Sequence, residues 1–185
     1  EDFTLLPKSA IEAAVSEPWS GAHFSTRVWA NTDKVAKAAS EIVTAGLLSG
    51  EGTAKMAKKL ESAVNSGIYA AERLVRTETL HFLNKGQLDS YIEYGDEEYE
   101  YLATLDARTC RTCGALDMKV FPVSAAQEGV NYPTMHPNCR CTTVPHVDAN
   151  GTRRARNYLT GEYDEVSGNM SYSEWISSMS PEERA

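Results

Sequence analysis

The sequence "RTCRTCGALD" at residues 108–117, together with "MHPNCRCTT" at 135–143, decides how the second half of this chain folds. The two stretches contain all four cysteines of the chain and one of its four histidines. A Cys-x-x-Cys turn aims two thiolates at one point, and a glycine after it tolerates the positive φ that follows such a turn. The spacing predicts a metal clip, and a disulfide pair or a redox pair are the alternatives.

Five side chains are candidate ligands, whereas tetrahedral zinc requires four. They are Cys110, Cys113, His136, Cys139 and Cys141. In an extended strand Cys139 and Cys141 face the same side, so four thiolates would close the site and leave His136 outside it. If residues 136–139 form a tight turn instead, His136 replaces one cysteine. We predict one structural zinc held by Cys110, Cys113 and Cys141, with the fourth ligand open between Cys139 and His136.

The alternatives to structural zinc predict different surroundings for the cysteines. A thioredoxin-like pair opens a helix after a strand in a βαβ unit, whereas polar turn residues are expected after Cys113. Two disulfides would fit a protein that ends up outside a cell. A catalytic zinc keeps an open position and typically has histidine and carboxylate ligands, which this cluster lacks.

The first half of the chain has helical periodicity. Apolar residues recur at helical spacing after an N-cap predicted at Thr32, again after one predicted at Thr53, and a third time over about 68–84. The third helix is expected to end near "NKG" at 84–86. Three helices with short connections predict a small bundle.

The residue pattern of the second half of the chain predicts short strands. "YEYLATLD" at 99–106, "KVFPV" at 119–123 and "CTTVPHV" at 141–147 are the candidates, and a short helix around Trp175 is expected to dock on the body. The predicted fold is α+β, an N-terminal helical bundle followed by a small antiparallel β module with a structural zinc site. The predicted divisions are an N-terminal segment at 1–21, the helical bundle at 22–95, the zinc-binding β module at 96–150 and a C-terminal tail with a short docking helix at 151–185.

Composition limits the function. The 185 residues carry a net charge of −8, which disfavours general binding to nucleic acid. No apolar run approaches the roughly 20 residues that span a bilayer. The chain begins with Glu1 rather than Met, and we expect it to be a piece of a longer soluble protein.

Four stretches in the same order resemble one family. They are "AERLVRTETLHFLNKGQL" at 71–88, "EYLATLDARTCRTCGALDMKVF" at 100–121, "GVNYPTMHPNCRCTTVP" at 129–145 and "MSYSEW" at 170–175. Over roughly residues 18–180 the chain resembles the phage head morphogenesis family, the phage Mu protein F-like minor head proteins of tailed phages and prophages. Met118 departs from the family pattern, in which a glycine after the aspartate is common.

The resemblance implies a minor capsid component that associates with the portal protein and assists head assembly and DNA packaging or ejection. It implies a place in the virion head, and in the host cytoplasm during assembly. Within that setting, the basic run "TRRAR" makes Arg153, Arg154 and Arg156 candidate contacts to packaged DNA or to the portal. A solvated turn explains the same run, and any DNA binding is expected to be weak.

Glu78 falls inside the apolar stripe of the third helix, and a buried carboxylate must be paired or hydrogen-bonded. Arg76 flanks the stripe, and Arg108 stands beside the first cysteine pair. We predict that Arg76, Glu78 and Arg108 form a structural clamp between the bundle and the zinc module. The contrasting hypothesis is an Arg-Thr-Glu active site, such as an ADP-ribosyltransferase, or an effector-delivery module of a prophage. No second motif supports an enzyme, and we expect none.

Overall fold

A computed structural model describes residues 33–65, 67–146, 151–157 and 159–184. The predicted segment at 1–21 and the N-cap predicted at Thr32 lie outside the described residues. The chain divides into two compact units, with one boundary between Gly86 and Gln87. The helical unit comprises the described residues up to 86 together with 136–138, and the cysteine unit comprises 87–135 and the described residues from 139 onward. Helices and small antiparallel sheets make up the structure, so the predicted α+β class is confirmed.

The helical unit is built on α1 (Asp33–Leu48), α2 (Thr53–Val64) and the first part of α3 (Ile68–Tyr94). Its core consists of the apolar positions that recur at helical spacing, because one stripe of each helix must leave water. The buried residues are Ala39, Val43, Met56, Ala57, Leu60, Ala71, Leu74, Val75 and Phe82. This apolar core is continuous, and the same unit also buries polar residues of α3, which are Thr77, Glu78, Thr79, His81 and Asn84.

The connection between α1 and α2 differs from the prediction. Gly52, not Thr53, occupies the N-cap position of α2, and no side chain caps that end. Gly46 has a packing role, because a Cβ at this position would lie 2.1 Å from the sulfur of Met56. The absence of a side chain at Gly46 therefore makes room for Met56 in the core.

The predicted end of α3 near "NKG" is wrong, because the helix continues through Gly86 to Tyr94. A glycine inside a helix costs about 1 kcal/mol relative to alanine, which packing can outweigh. Beyond Gly86, Tyr91 is 2 % exposed and packs with Tyr99 and Tyr132, with Leu88 beside them. Burial of these side chains stabilises the helix beyond Gly86, where the sequence predicted that it would end.

The first sheet of the cysteine unit has three antiparallel strands in the order β2-β1-β3. The strands are β1 (Glu98–Leu102), β2 (Val120–Pro122) and β3 (Thr142–Pro145), and a one-turn 3-10 helix follows β2 at Val123–Ala125. Tyr99 and Tyr101 of the central strand are fully buried. The strand predicted at 99–106 therefore ends earlier, and Leu105 forms an isolated parallel bridge with Ala155 instead.

The stretch predicted as a polar tail contains a second sheet. It is a hairpin of β4 (Thr152–Arg156) and β5 (Tyr163–Ser167), followed by α5 (Tyr172–Ser178) and α6 (Pro181–Arg184), with α4 (Arg111–Leu116) earlier in the chain. Trp175 and Met179 pack with Leu105 and Ala155 in a small apolar cluster. Ser171 caps α5, and its capping box with Glu174 fixes the start of that helix.

Of the described helices, none has the length and apolar character needed to cross a membrane.

Candidate metal centre

The four cysteines come together in the cysteine unit. The sulfur atoms of Cys113, Cys139 and Cys141 lie within 4.8 Å of one another, and Cys110 has its sulfur within the same distance of Cys113. Cys113, Cys139 and Cys141 are each at most 3 % exposed, while Cys110 is half-buried. All four are free thiols. Cys113 is therefore the member that all three other thiols approach.

The first pair of cysteines is positioned by α4. Cys110 is the N-cap of α4, and its sulfur accepts a hydrogen bond from the Cys113 N–H at 3.4 Å. A helix therefore follows Cys110, where polar turn residues were expected. The sheet beside it is antiparallel, however, so the βαβ surroundings of a thioredoxin-like pair are absent from the described residues.

Gly114 is required by close packing and not by a positive φ. A Cβ at this position would lie 2.5 Å from the ring of Tyr172, at the start of α5. The glycine therefore lets the ring of Tyr172 pack directly on the backbone of α4. The Tyr172 hydroxyl donates to the Thr109 carbonyl at 3.2 Å, which ties α5 to the residue before Cys110.

The second pair is positioned by β3, which begins one residue after Cys141 and pairs with β1. Tyr101 of β1 is fully buried, and its hydroxyl lies beside the sulfurs of Cys113 and Cys141. Burial and these thiols raise the pKa of Tyr101 well above its usual range. The hydroxyl has no hydrogen-bond partner among the described residues.

The three buried thiols differ in their pKa. Hydrogen bonds from Cys113 and Cys141 lower the pKa of Cys139. The pKa of Cys113 is raised, because it hydrogen-bonds to Cys139 and Cys141 and is buried. The thiol of Cys139 therefore loses its proton more readily than the thiols of Cys113 and Cys141. A divalent cation would replace the thiol protons and bind all of the sulfurs as thiolates.

The donor set fits zinc. In a tetrahedral site with zinc–sulfur bonds of about 2.3 Å, the sulfurs lie about 3.8 Å apart. The sulfurs of Cys113, Cys139 and Cys141 all lie within 4.8 Å of one another, so small shifts would bring them to that geometry. Thiolates are soft ligands, and a site closed by cysteines is typical of structural zinc. The buried Tyr101 hydroxyl would then supply the hydrogen bond that a zinc-bound thiolate commonly accepts. The cluster could therefore hold a metal ion.

Asp117 is a second organising residue of the cysteine unit, and sequence analysis missed it. Its carboxylate accepts hydrogen bonds from the backbone N–H groups of Ala103 at 2.7 Å and Tyr172 at 2.6 Å. It also accepts hydrogen bonds from both terminal nitrogens of Arg153, at 2.9 and 3.0 Å. The side chain of Asp117 is 1 % exposed and that of Arg153 is 10 % exposed, so the pair is buried. One carboxylate thus joins the end of β1, the end of α4, β4 and α5.

The basic run "TRRAR" forms strand β4, so the solvated turn considered for it is wrong. Arg153 also donates to the carbonyls of Ala103 and Met170, which commits its guanidinium to the interior of the unit. Arg154 is exposed and stacks over the ring of Tyr163, 4.6 Å from its centroid. Arg156 is half-buried. The predicted contact to DNA or the portal stays a prediction for the two arginines that reach the surface.

The Arg-Thr-Glu stretch of α3 belongs to the helical unit. Glu78 is 1 % exposed, as the helical periodicity predicted, while Arg76 is exposed. The middle residue, Thr77, was not singled out, yet its hydroxyl accepts from the backbone N–H of Asn138 at 3.0 Å and donates to the Arg73 carbonyl. Thr77 therefore holds the turn at residues 136–138, where Asn138 adopts a positive φ of 62°.

Two predicted roles remain predictions. His136 lies in the helical unit with its Nδ1 2.9 Å from the carbonyl oxygen of Pro137, and its place as an alternative ligand is not decided. Arg108 pairs with Asp106, with 3.3 Å between Nη2 and Oδ2. The clamp predicted for Arg76, Glu78 and Arg108 stays a prediction.

The fold and the thiol cluster define a small α+β protein organised around a closed cysteine site. The phage Mu protein F like family matches residues 37–144, a span that covers the helical unit from α1 and ends just after the last cysteine. Because this match covers more than half of the chain, the chain belongs to that family. No curated protein and no solved structure matches it significantly. Family membership makes this a phage head-related protein that works among other head proteins in the virion.

Proposed function

We propose that this chain is a minor head protein of a tailed phage or prophage that associates with the portal and assists head assembly and DNA packaging or ejection. Family membership over residues 37–144 is the observation that carries the proposal. The protein acts through contacts with other proteins and not as an enzyme. It assembles in the host cytoplasm before it becomes part of the virion head.

The cysteine cluster supports this role as a structural zinc site. Cys113, Cys139 and Cys141 are buried and their sulfurs converge, while Cys110 lies beside Cys113. A closed site of this kind leaves no open position for a substrate or a reactive water. Zinc therefore stabilises the cysteine unit, and the surfaces of the chain are left to bind its partners.

Direct DNA contact is a lesser part of the proposal. The net charge of −8 repels phosphates, and Arg153 of the basic strand is committed to Asp117. Arg154 and Arg156 remain as contacts that would be weak and sensitive to salt. The portal is accordingly the principal partner proposed.

Co-purification with the portal protein of the same phage tests this function. The tagged chain should retain the portal through a salt wash, and a variant that unfolds the cysteine unit shows whether that unit is needed. An NAD-consumption assay on the same preparation tests the absence of ADP-ribosyl transfer. Failure to bind the portal, together with NAD turnover that Glu78→Gln abolishes, would contradict the proposal.

A further inference from the structure

One residue links the second pair of cysteines to the segment that leads to the first pair. Arg140 lies between the two cysteines of the second pair, and its Nη1 hydrogen-bonds to Oδ2 of Asp106. The Arg140 backbone carbonyl accepts a hydrogen bond from the Thr104 hydroxyl at 2.7 Å. Both the side chain and the backbone of Arg140 are therefore attached to one short segment, at residues 104–109.

This segment is closed by hydrogen bonds of its own. The Thr109 N–H donates to the Asp106 carbonyl at 2.9 Å, and the Thr109 hydroxyl donates to the Thr104 carbonyl at 2.6 Å. The Arg108 N–H donates to Oδ1 of the Asp106 carboxylate at 2.7 Å. Because Thr109 directly precedes Cys110, the closed segment fixes where the first pair of cysteines begins.

The second pair of cysteines lies just outside the sheet. The pairing of β1 with β3 extends to Leu102 and Thr142, and Cys141 comes one residue before it. Because Cys139 and Cys141 flank Arg140, any movement of the Arg140 backbone would move both sulfurs with it. The two contacts that Arg140 makes with the 104–109 segment therefore hold the stretch of chain that carries both of these sulfurs.

The ion pair of Arg140 with Asp106 persists at neutral pH. Asp106 is 2 % exposed, and burial would raise the pKa of its carboxyl group. Hydrogen bonds from Arg140 and Arg108 outweigh burial and hold that pKa well below its usual range. The carboxylate therefore stays ionised and continues to bind the Arg140 guanidinium.

We propose that Arg140 and Asp106 are positioning residues of the zinc centre, whose ion pair holds the two pairs of cysteines in the arrangement that one zinc requires. This inference rests on the structural zinc site proposed above. Removal of groups that orient metal ligands commonly weakens metal binding about 10–100-fold. A site that is already arranged before the metal arrives also loses less conformational entropy on binding.

Competition with a chelator measures the zinc affinity of the full chain and tests this role. Arg140→Gln removes the ion pair and should weaken zinc binding about tenfold. Arg156→Gln is the matched control, because the two arginine side chains are 32 % and 31 % exposed and Arg156 Nη1 lies 3.8 Å from the same Asp106 oxygen. Arg156 belongs to β4, which carries no cysteine, so its variant should bind zinc as tightly as the unaltered chain.

Cobalt(II) in place of zinc separates positioning from a general loss of stability. The absorption of cobalt bound to thiolates depends on the geometry of the site, so displaced sulfurs should change the spectrum of Arg140→Gln and not that of Arg156→Gln. A loss of stability alone would weaken binding and leave the spectrum of the bound form unchanged. Arg140→Lys retains the charge but not the planar fork, so its affinity should be intermediate, and it repeats the test if Arg140→Gln does not fold.

Three results would overturn the positioning role. They are unchanged zinc affinity in Arg140→Gln, equal weakening in Arg156→Gln, and weaker binding with an unchanged cobalt spectrum. The unaltered chain is measured first, because a chain that binds no zinc would contradict the zinc centre and this inference together. A chain that binds zinc with an affinity independent of Arg140 would overturn this inference alone.

Discussion

The helical unit and the cysteine unit are stabilised in different ways. The helical unit buries a continuous apolar core that extends from Ala39 to Phe82. The described part of the cysteine unit contains small apolar clusters around Trp175 and around Tyr99, and it also buries charged and sulfur-containing groups. Small cores rarely suffice alone, and domains that have them commonly add a metal or a disulfide. We therefore expect the stability of the cysteine unit to depend on its metal and its ion pairs, and the stability of the helical unit not to depend on them.

Loss of a central cysteine ligand should destabilise the cysteine unit more than any other substitution considered. Cys113→Ser should unfold the cysteine unit, because metal affinity is part of the folding free energy of a structural zinc site. Hydrogen exchange should show lost protection beyond residue 87, while α1 and α2 keep theirs. Thr112→Ser, an exposed change on the same helix, is the control. Equal loss of protection in both units would show that the helical unit also depends on the metal, contrary to this prediction.

The buried ion pair gives the next effect. Every partner of the Asp117 carboxylate is a donor, so Asp117→Asn places an amide N–H₂ against N–H groups and leaves Arg153 uncompensated. Breaking a buried pair in this way should cost about 3–5 kcal/mol of unfolding free energy. Chemical denaturation of the zinc-loaded protein measures it. Asp164→Asn, at an exposed position of β5, should change stability by no more than about 0.5 kcal/mol.

The smallest effect concerns the turn before β2. Met118 has a φ of 63°, and its sulfur lies 3.2 Å from Arg153 Nη1. Glycine and alanine both lose the sulfur contact, but glycine adopts this conformation without strain, whereas alanine retains the strain. Met118→Gly should therefore be more stable than Met118→Ala by about 1 kcal/mol. The opposite order in a denaturation experiment would show that the left-handed conformation is not what matters there.

The helices and the ligand cluster could be predicted from sequence because both depend on residues that are close together in the chain. Helical period placed Val43, Leu60 and Glu78 in the interior, and cysteine spacing brought Cys110 and Cys113 to one site. The hairpin of β4 and β5 was not accessible. Its residues are mostly polar, and Ala155 is the one apolar residue of β4.

The long-range pairs were not accessible either. Asp117 and Arg153 are 36 residues apart, and no periodicity relates them. The sequence predicted that α3 would end near Gly86. The helix continues because Tyr91 packs against Tyr99 and Tyr132, a tertiary contact that sequence spacing does not show. Polar contacts of this kind stabilise the cysteine unit. Less of its secondary structure and packing could therefore be predicted from sequence than of the helical unit.

We expect one zinc to organise the cysteine unit, and elemental analysis measures whether that zinc is present. The chain, purified without added zinc and under conditions that keep thiols reduced, should contain about one zinc per molecule. Mass analysis without reductant should find no disulfide among the four cysteines. A chain that contains no metal, carries two disulfides and still protects residues 87–184 from exchange would contradict the account.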